Sequence, residues 1–118
     1  MPVALMLIGC RRGGSSNALP QPVAPAKAAG QLTTLFSNAQ NSGLQRDART
    51  AATALQRNEY ITAYKTLRKM ESRTGLTSAQ GMALHNAMLG LQRQLAEEVV
   101  SGDPRAIEAA KQLRSLSP

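Results

Sequence analysis

From Gln31 onward, apolar residues recur at the three- and four-residue spacing of an α-helix through nearly the whole chain. No other feature restricts the fold as much. Nineteen Ala and fifteen Leu stand against four Val and three Ile, so intrinsic propensity favours helix over sheet as well. A chain of 118 residues with one Phe, two Tyr and no Trp buries a limited core, so its packing has to rest on Leu, Ala and Met at close helix-to-helix contacts. The expected fold class is all-α, a small bundle of about four to five helices in antiparallel hairpins with one long central helix.

Five segments carry the period. Leu32, Leu35, Phe36 and Ala39 give a short first helix, broken by Asn41, Ser42 and Gly43. A second opens at Ser42 and Gln45, which have the spacing of a capping box, buries Leu44, Ala48, Ala51 and Leu55, and ends near Asn58, a residue suited to a left-handed turn. The third turns Tyr60, Ala63, Tyr64, Leu67 and Met70 inward and Lys65, Arg68, Lys69 and Arg73 outward, and Gly75 stops it. A capping box at Thr77 and Gln80 starts the fourth, which continues to about Val100. One of its stripes is Leu84, Ala87, Met88, Leu91, Leu95 and Val99; the other, Met82, Leu89, Ala96 and Val100, lies about 140° around the axis. A helix apolar on two sides is expected to be covered on two sides, as the central element. Gly81 and Gly90 within it each cost about 1 kcal/mol relative to Ala and suit the close approach of a neighbour. Asp103 as N-cap and Pro104 in the first helical position begin the last helix, with Ile107, Ala110 and Leu113 as its inward face.

The N-terminal region reads differently. Residues 1–10 form an apolar run that closes on Leu7-Ile8-Gly9-Cys10 and is followed at once by Arg11-Arg12-Gly13-Gly14-Ser15-Ser16. These residues resemble a bacterial lipobox, in which a small residue before the cysteine admits a signal peptidase and the thiol carries a diacylglycerol. The resemblance implies that Cys10 becomes the lipidated first residue of the mature protein. No Lys or Arg precedes Cys10, where a secretory signal carries a positive n-region ahead of about 7 to 15 apolar residues, and an earlier start codon would supply what is missing. The other reading of the segment is a frayed cytosolic terminus with an incidental thiol. In residues 11–30, Gly and Ser give way to spaced Pro20, Pro22 and Pro25, the composition of a spacer that is flexible and then extended. The expected organisation is a signal segment at 1–10, a linker at 11–30 and a helical domain at 31–118. Each acyl methylene buried in a bilayer contributes about 0.8 kcal/mol, whereas the N-terminal apolar run is far below the roughly 20 residues of a transmembrane helix.

Asn58-Glu59-Tyr60 with Ala63 and Leu67 is similar to the turn and second helix of a tetratricopeptide unit, and Gly102-Asp103-Pro104 with Ile107 resembles the same turn again. The two turns lie 44 residues apart, against about 34 in a regular array. The order of marks also resembles a group of small exported bacterial helical proteins: a lipoprotein-like start, a Pro/Ala spacer, Phe36, the Tyr60/Ala63 hairpin, Gly75-Leu76-Thr77-Ser78-Ala79-Gln80 and Gly102-Asp103. That likeness implies fold and address rather than an activity.

Catalytic constellations are absent from the sequence. One Cys and one His exclude a disulfide framework and the usual zinc clusters, and no glycine-rich phosphate loop or paired-cysteine motif is present. His85 falls between the two stripes of the fourth helix without an assignable partner. Glu97 and Glu98, about 100° apart on a helix, form no carboxylate dyad and are expected in solvent or paired with Arg93 or Arg105. The expectation is therefore no enzyme, no cofactor and no metal. The net charge is +7, but Arg11, Arg12 and Lys27 precede residue 31, leaving eleven Lys and Arg against seven Asp and Glu, a net +4. Lys65, Arg68, Lys69 and Arg73 form a basic surface opposite an apolar face, the ordinary place for a solvated face. Phe36, Tyr60 and Tyr64 all fall on expected core faces, which argues against stacking on nucleic acid. The sequence is thus expected to encode a non-enzymatic helical interaction module, lipid-anchored through Cys10 at the cell envelope facing periplasm or exterior. Its partner would be a protein or peptide, or a second copy in a homodimer; the alternative is a cytosolic basic adaptor that binds nucleic acid non-specifically.

Overall fold

The computed structural model describes residues 21–39 and 41–116. Five helices follow in order: α1 (Pro25–Phe36), α2 (Ser42–Gln56), α3 (Tyr60–Glu71), α4 (Ser78–Val100) and α5 (Pro104–Leu116), with no strand among the described residues. The all-α bundle expected from the periodicity is what forms.

The ends of these helices have local causes. At α4 the Thr77 hydroxyl accepts the Gln80 N–H while the Gln80 side-chain oxygen accepts the Thr77 N–H, both at 3.0 Å, so the expected capping box is complete. Asn58 (φ 55°) and Gly75 (φ 83°) take the left-handed conformation that lets the chain leave α2 and α3. Two boundaries differ from the sequence reading. The cap of α2 is Asn41, not Ser42: Asn41 is extended (φ −88°, ψ 115°) and its Oδ1 accepts from Gly43 N–H (2.8 Å) and Leu44 N–H (3.2 Å). Ser42 is already helical, and Gln45 donates back to the Ala39 carbonyl instead. The first helix starts at Pro25 rather than near Gln31, because a proline at the first helical position has no N–H to leave unsatisfied and the Ala-rich run behind it continues the period. Ala28 and Ala29 are fully buried, so residues 25–30 belong to the helical body and not to the linker expected over 11–30.

α1 packs on α2 and α4, α2 on α3, and α3 on α4, which closes a ring of four helices; α5 lies outside it against α4 and the side of α3. Connections of three to six residues between packed neighbours make each successive pair an antiparallel hairpin. The interior of the ring is Leu32, Phe36, Leu55, Leu67, Met70, Leu84 and Leu91, all shielded from solvent. Each buried Leu of this kind contributes about 1.5–3 kcal/mol over its exposed state. Ala48, Ala51, Ala63 and Ala87 between them let the backbones approach.

α4, like α3, touches three other helices, yet only one of its two stripes is covered. Met82 is 37% exposed, Val100 88%, Ala96 is exposed and Leu89 half-buried. The three partners lie on the side of Ala83, Leu84, Ala87, Leu91 and Leu95, and the opposite side is left largely open, with Leu89 half-buried. α5 is also rotated from expectation: Ala106 and Ala109 face inward, Ile107 is largely out, and Ala110 and Leu113 are only partly buried. Small side chains at 106 and 109 permit the closer contact, and the bulkier Ile107 is turned aside. Of the two glycines in α4, Gly90 lies against the backbone of Val23, whereas Gly81 faces open space and accommodates no neighbour.

Candidate interaction surface

Cys10, the expected lipidation site, lies outside the described residues. Lys65, Arg68 and Lys69 share one side of α3 and Arg73 follows two residues past its end, but the four do not form a free cationic patch. Asp47 on α2 is 8% exposed and takes two of them: Arg73 Nη2 donates to Oδ2 at 3.1 Å, and Lys69 Nζ lies 3.6 Å from Oδ1. Arg68 donates from Nη1 to the Tyr64 hydroxyl at 2.9 Å with its guanidinium 5.7 Å from the ring centroid, a cation–π geometry. Tyr64 therefore stands half-buried at the edge of the core rather than inside it. Only Lys65 remains as an exposed cation without such a contact. Asp47 ties the first turns of α2 to the end of α3, and Gly43 leaves room for the Arg73 guanidinium above α2.

Some of the other titratable groups pair at the surface. His85 Nδ1 is 3.9 Å from Glu71 Oε2, an ion pair when the imidazole is protonated. Arg93 Nε meets Glu97 Oε2 at 3.5 Å one turn on, and Glu98 accepts from Gln94 at 3.1 Å. Tyr60 is 4% exposed at the junction of α3 and α5; burial raises its phenol above the ordinary value, with Glu98 and Asp103 adding to the shift and Arg105 opposing it. Among the described residues no three His, Cys, Asp or Glu side chains gather as metal ligands would, and no described helix is long and apolar enough to cross a membrane.

Where α1 and α4 meet, they leave an open groove of about 830 Å³. It is lined by small residues such as Gly30 and Ala83, by Leu35 and Met82, each 37% exposed, and by the polar Lys27 and Gln31. The chain enters α1 beside this groove, because the N–H of Gln21 donates to Asn86 Oδ1 (2.9 Å) and that of Val23 to the Asn86 carbonyl (3.2 Å). At the other end Gln80 Nε2 reaches the Leu35 carbonyl at 3.4 Å. Small residues beside two exposed apolar side chains, with polar groups around them, give the groove a form suited to an amphipathic helix or a bulky apolar side chain. No protein-family model matches this chain, and neither a curated protein nor a solved structure matches it.

Sequence reasoning did not find Asp47, although a signal exists: Asp47 sits three residues after Leu44 and one before Ala48, on the buried stripe of α2, where an acid needs a partner. It named Met82 without finding the groove, since periodicity does not say that the first helix returns to the fourth.

Proposed function

We infer that the chain is a non-enzymatic, exported interaction module of the bacterial cell envelope, held to a membrane by a lipid on Cys10 and presenting its α1/α4 face to a protein partner. The observation that carries the interaction part is the open groove between α1 and α4, with Leu35 and Met82 on its walls. The anchor rests on Leu7-Ile8-Gly9-Cys10 and on the distance to the folded body. Cys10 stands eleven residues before Gln21, so the body stays within about 40 Å of the bilayer. Arg11 and Arg12 beside the thiol each add about 1 kcal/mol on an anionic leaflet. The alternative, a cytosolic basic adaptor for nucleic acid, is weakened because Asp47 holds Lys69 and Arg73 while Arg68 rests on Tyr64. Membrane fractionation of the native host with metabolic acyl labelling tests the anchor. Label in the membrane fraction that disappears in Cys10→Ala supports it; a soluble, unlabelled wild type refutes it.

A further inference from the structure

The net charge of the folded body is confined to one hairpin. Residues 41–73, which span α2 and α3, hold seven Lys and Arg against three Asp and Glu, whereas residues 74–118 hold four of each. Much of the excess stands on α2. Arg46, Arg49 and Arg57 are exposed and, with the exposed Thr53, share an arc of about 80° opposite the buried stripe of Leu44, Ala48, Ala51 and Leu55. Asp47, the one acid of α2, meets Lys69 and Arg73, which together exceed it by one charge. Among the described residues no acid lies within ion-pair distance of Arg46, Arg49 or Arg57. A solvated helix face ordinarily mixes both signs at three- and four-residue spacing, but the neighbouring positions here hold Gln45, Thr50 and Thr53.

We propose that this arginine face of α2 lies on an anionic phospholipid leaflet. The inference deepens the membrane part of the proposed function, on which the choice of surface rests, by naming the face that meets the bilayer. The charge it uses belongs to the folded body and is separate from Cys10. Three observations favour a leaflet. First, the face is cationic throughout: from Arg46 to Arg57 it runs about 16 Å along the helix, and guanidinium groups match phosphate oxygens in geometry as well as charge. Each such arginine strengthens partition onto an anionic surface about fivefold. Second, the other outward residues, Thr50, Thr53 and Gln56, are polar, so contact stays at the headgroups. No described aromatic ring is free to stack on bases, since Phe36 and Tyr60 are buried and Tyr64 lies against Arg68, which leaves single-stranded nucleic acid without a platform. Third, the tether reaches. The chain meets the body on α4, where Gln21 bonds Asn86, and α2 lies across the ring from α4, about 20 Å away at about 10 Å per helix. The eleven residues back to Cys10 extend to about 40 Å. In this pose α4 and its exposed Met82 face away from the bilayer, toward a partner.

The test uses the full chain carrying Cys10→Ser and its co-sedimentation with vesicles of equal parts phosphatidylglycerol and phosphatidylcholine. Replacing Arg46, Arg49 and Arg57 together by Gln, all at exposed positions, is expected to weaken binding about a hundredfold with unchanged circular dichroism. Removing three exposed charges from α5 instead, as Arg105→Gln, Lys111→Gln and Arg114→Gln, is expected to weaken it less than about threefold, because salt screens charges held away from the surface. Added salt is expected to release the chain, and vesicles of phosphatidylcholine alone to bind it no better than they bind the α2 triple variant. Equal loss in the two triple variants would show that total charge acts rather than the α2 face, and overturns the proposal. Binding that the α2 substitutions leave unchanged overturns it as well. Tighter binding to duplex DNA than to the mixed vesicles at the same salt, lost in the α2 variant, would assign the face to nucleic acid and also overturn it. Vesicle binding needs no acyl group, and acyl labelling at Cys10 is expected to survive the α2 substitutions, so the two readings fail separately.

Discussion

Two glycines nine residues apart on α4 should respond to the same substitution with opposite signs. Alanine in place of glycine favours a helix interior by about 1 kcal/mol. At Gly81 the added methyl meets nothing within 4 Å, so Gly81→Ala should gain that amount. At Gly90 the methyl would overlap the carbonyl of Val23, a backbone atom that cannot rotate aside, so the entering segment has to move. Displacement breaks the bonds from Val23 N–H and Gln21 N–H to Asn86, at 3.2 and 2.9 Å, each worth about 0.5–1.5 kcal/mol. It also uncovers the partly buried Val23 side chain, at about 1 kcal/mol. Against the helical gain, Gly90→Ala should lose about 1–3 kcal/mol net, a separation of about 2–4 kcal/mol between the two variants. Urea unfolding followed by circular dichroism measures both, and amide exchange at Val23 should accelerate in Gly90→Ala alone. Equal stabilisation by the two substitutions would refute the packing of the Gln21–Val23 segment on α4.

Asp47→Ala should cost about 2 kcal/mol, because Arg73, with a side chain only 29% exposed, loses its carboxylate, and a double-mutant cycle with Arg73→Ala isolates the pair. A coupling below about 0.3 kcal/mol would show that Asp47 does not join α2 to α3. Asn41→Ala should lose about 1 kcal/mol in thermal or urea unfolding while Ser42→Ala leaves stability unchanged, and the reverse would restore Ser42 as the cap. The Tyr60 phenol is raised by burial first and by Glu98 and Asp103 next, from a reference of 10.0. Above pH 10 the unfolded chain therefore releases a proton that the folded chain retains, so stability falls as pH rises through that window, and Tyr60→Phe should flatten the slope.

How much of this architecture was legible follows from the range over which each feature is decided. The five helices and the Thr77–Gln80 cap are set within a few residues, and spacing alone placed them. The start of α1 was missed because Pro25 reads as a spacer unless Ala28 and Ala29 are known to meet a partner. The rotation of α5 and the bare side of α4 depend on three neighbours sharing one side of a single helix, which no local pattern states. At the candidate surface, the positions of Lys65, Arg68, Lys69 and Arg73 were readable from helical spacing. The pairing of Lys69 and Arg73 with Asp47 was not, since Asp47 lies 26 residues from Arg73 in sequence and meets it only when α2 and α3 fold together.

The anchor is tested most directly by the intact mass of the protein purified from membranes of its native host. The mature chain should begin at Cys10 and exceed the mass of its polypeptide by a diacylglycerol thioether, with or without an acyl group on the new amino terminus. A chain of polypeptide mass alone, still carrying the residues before Cys10, would contradict the account.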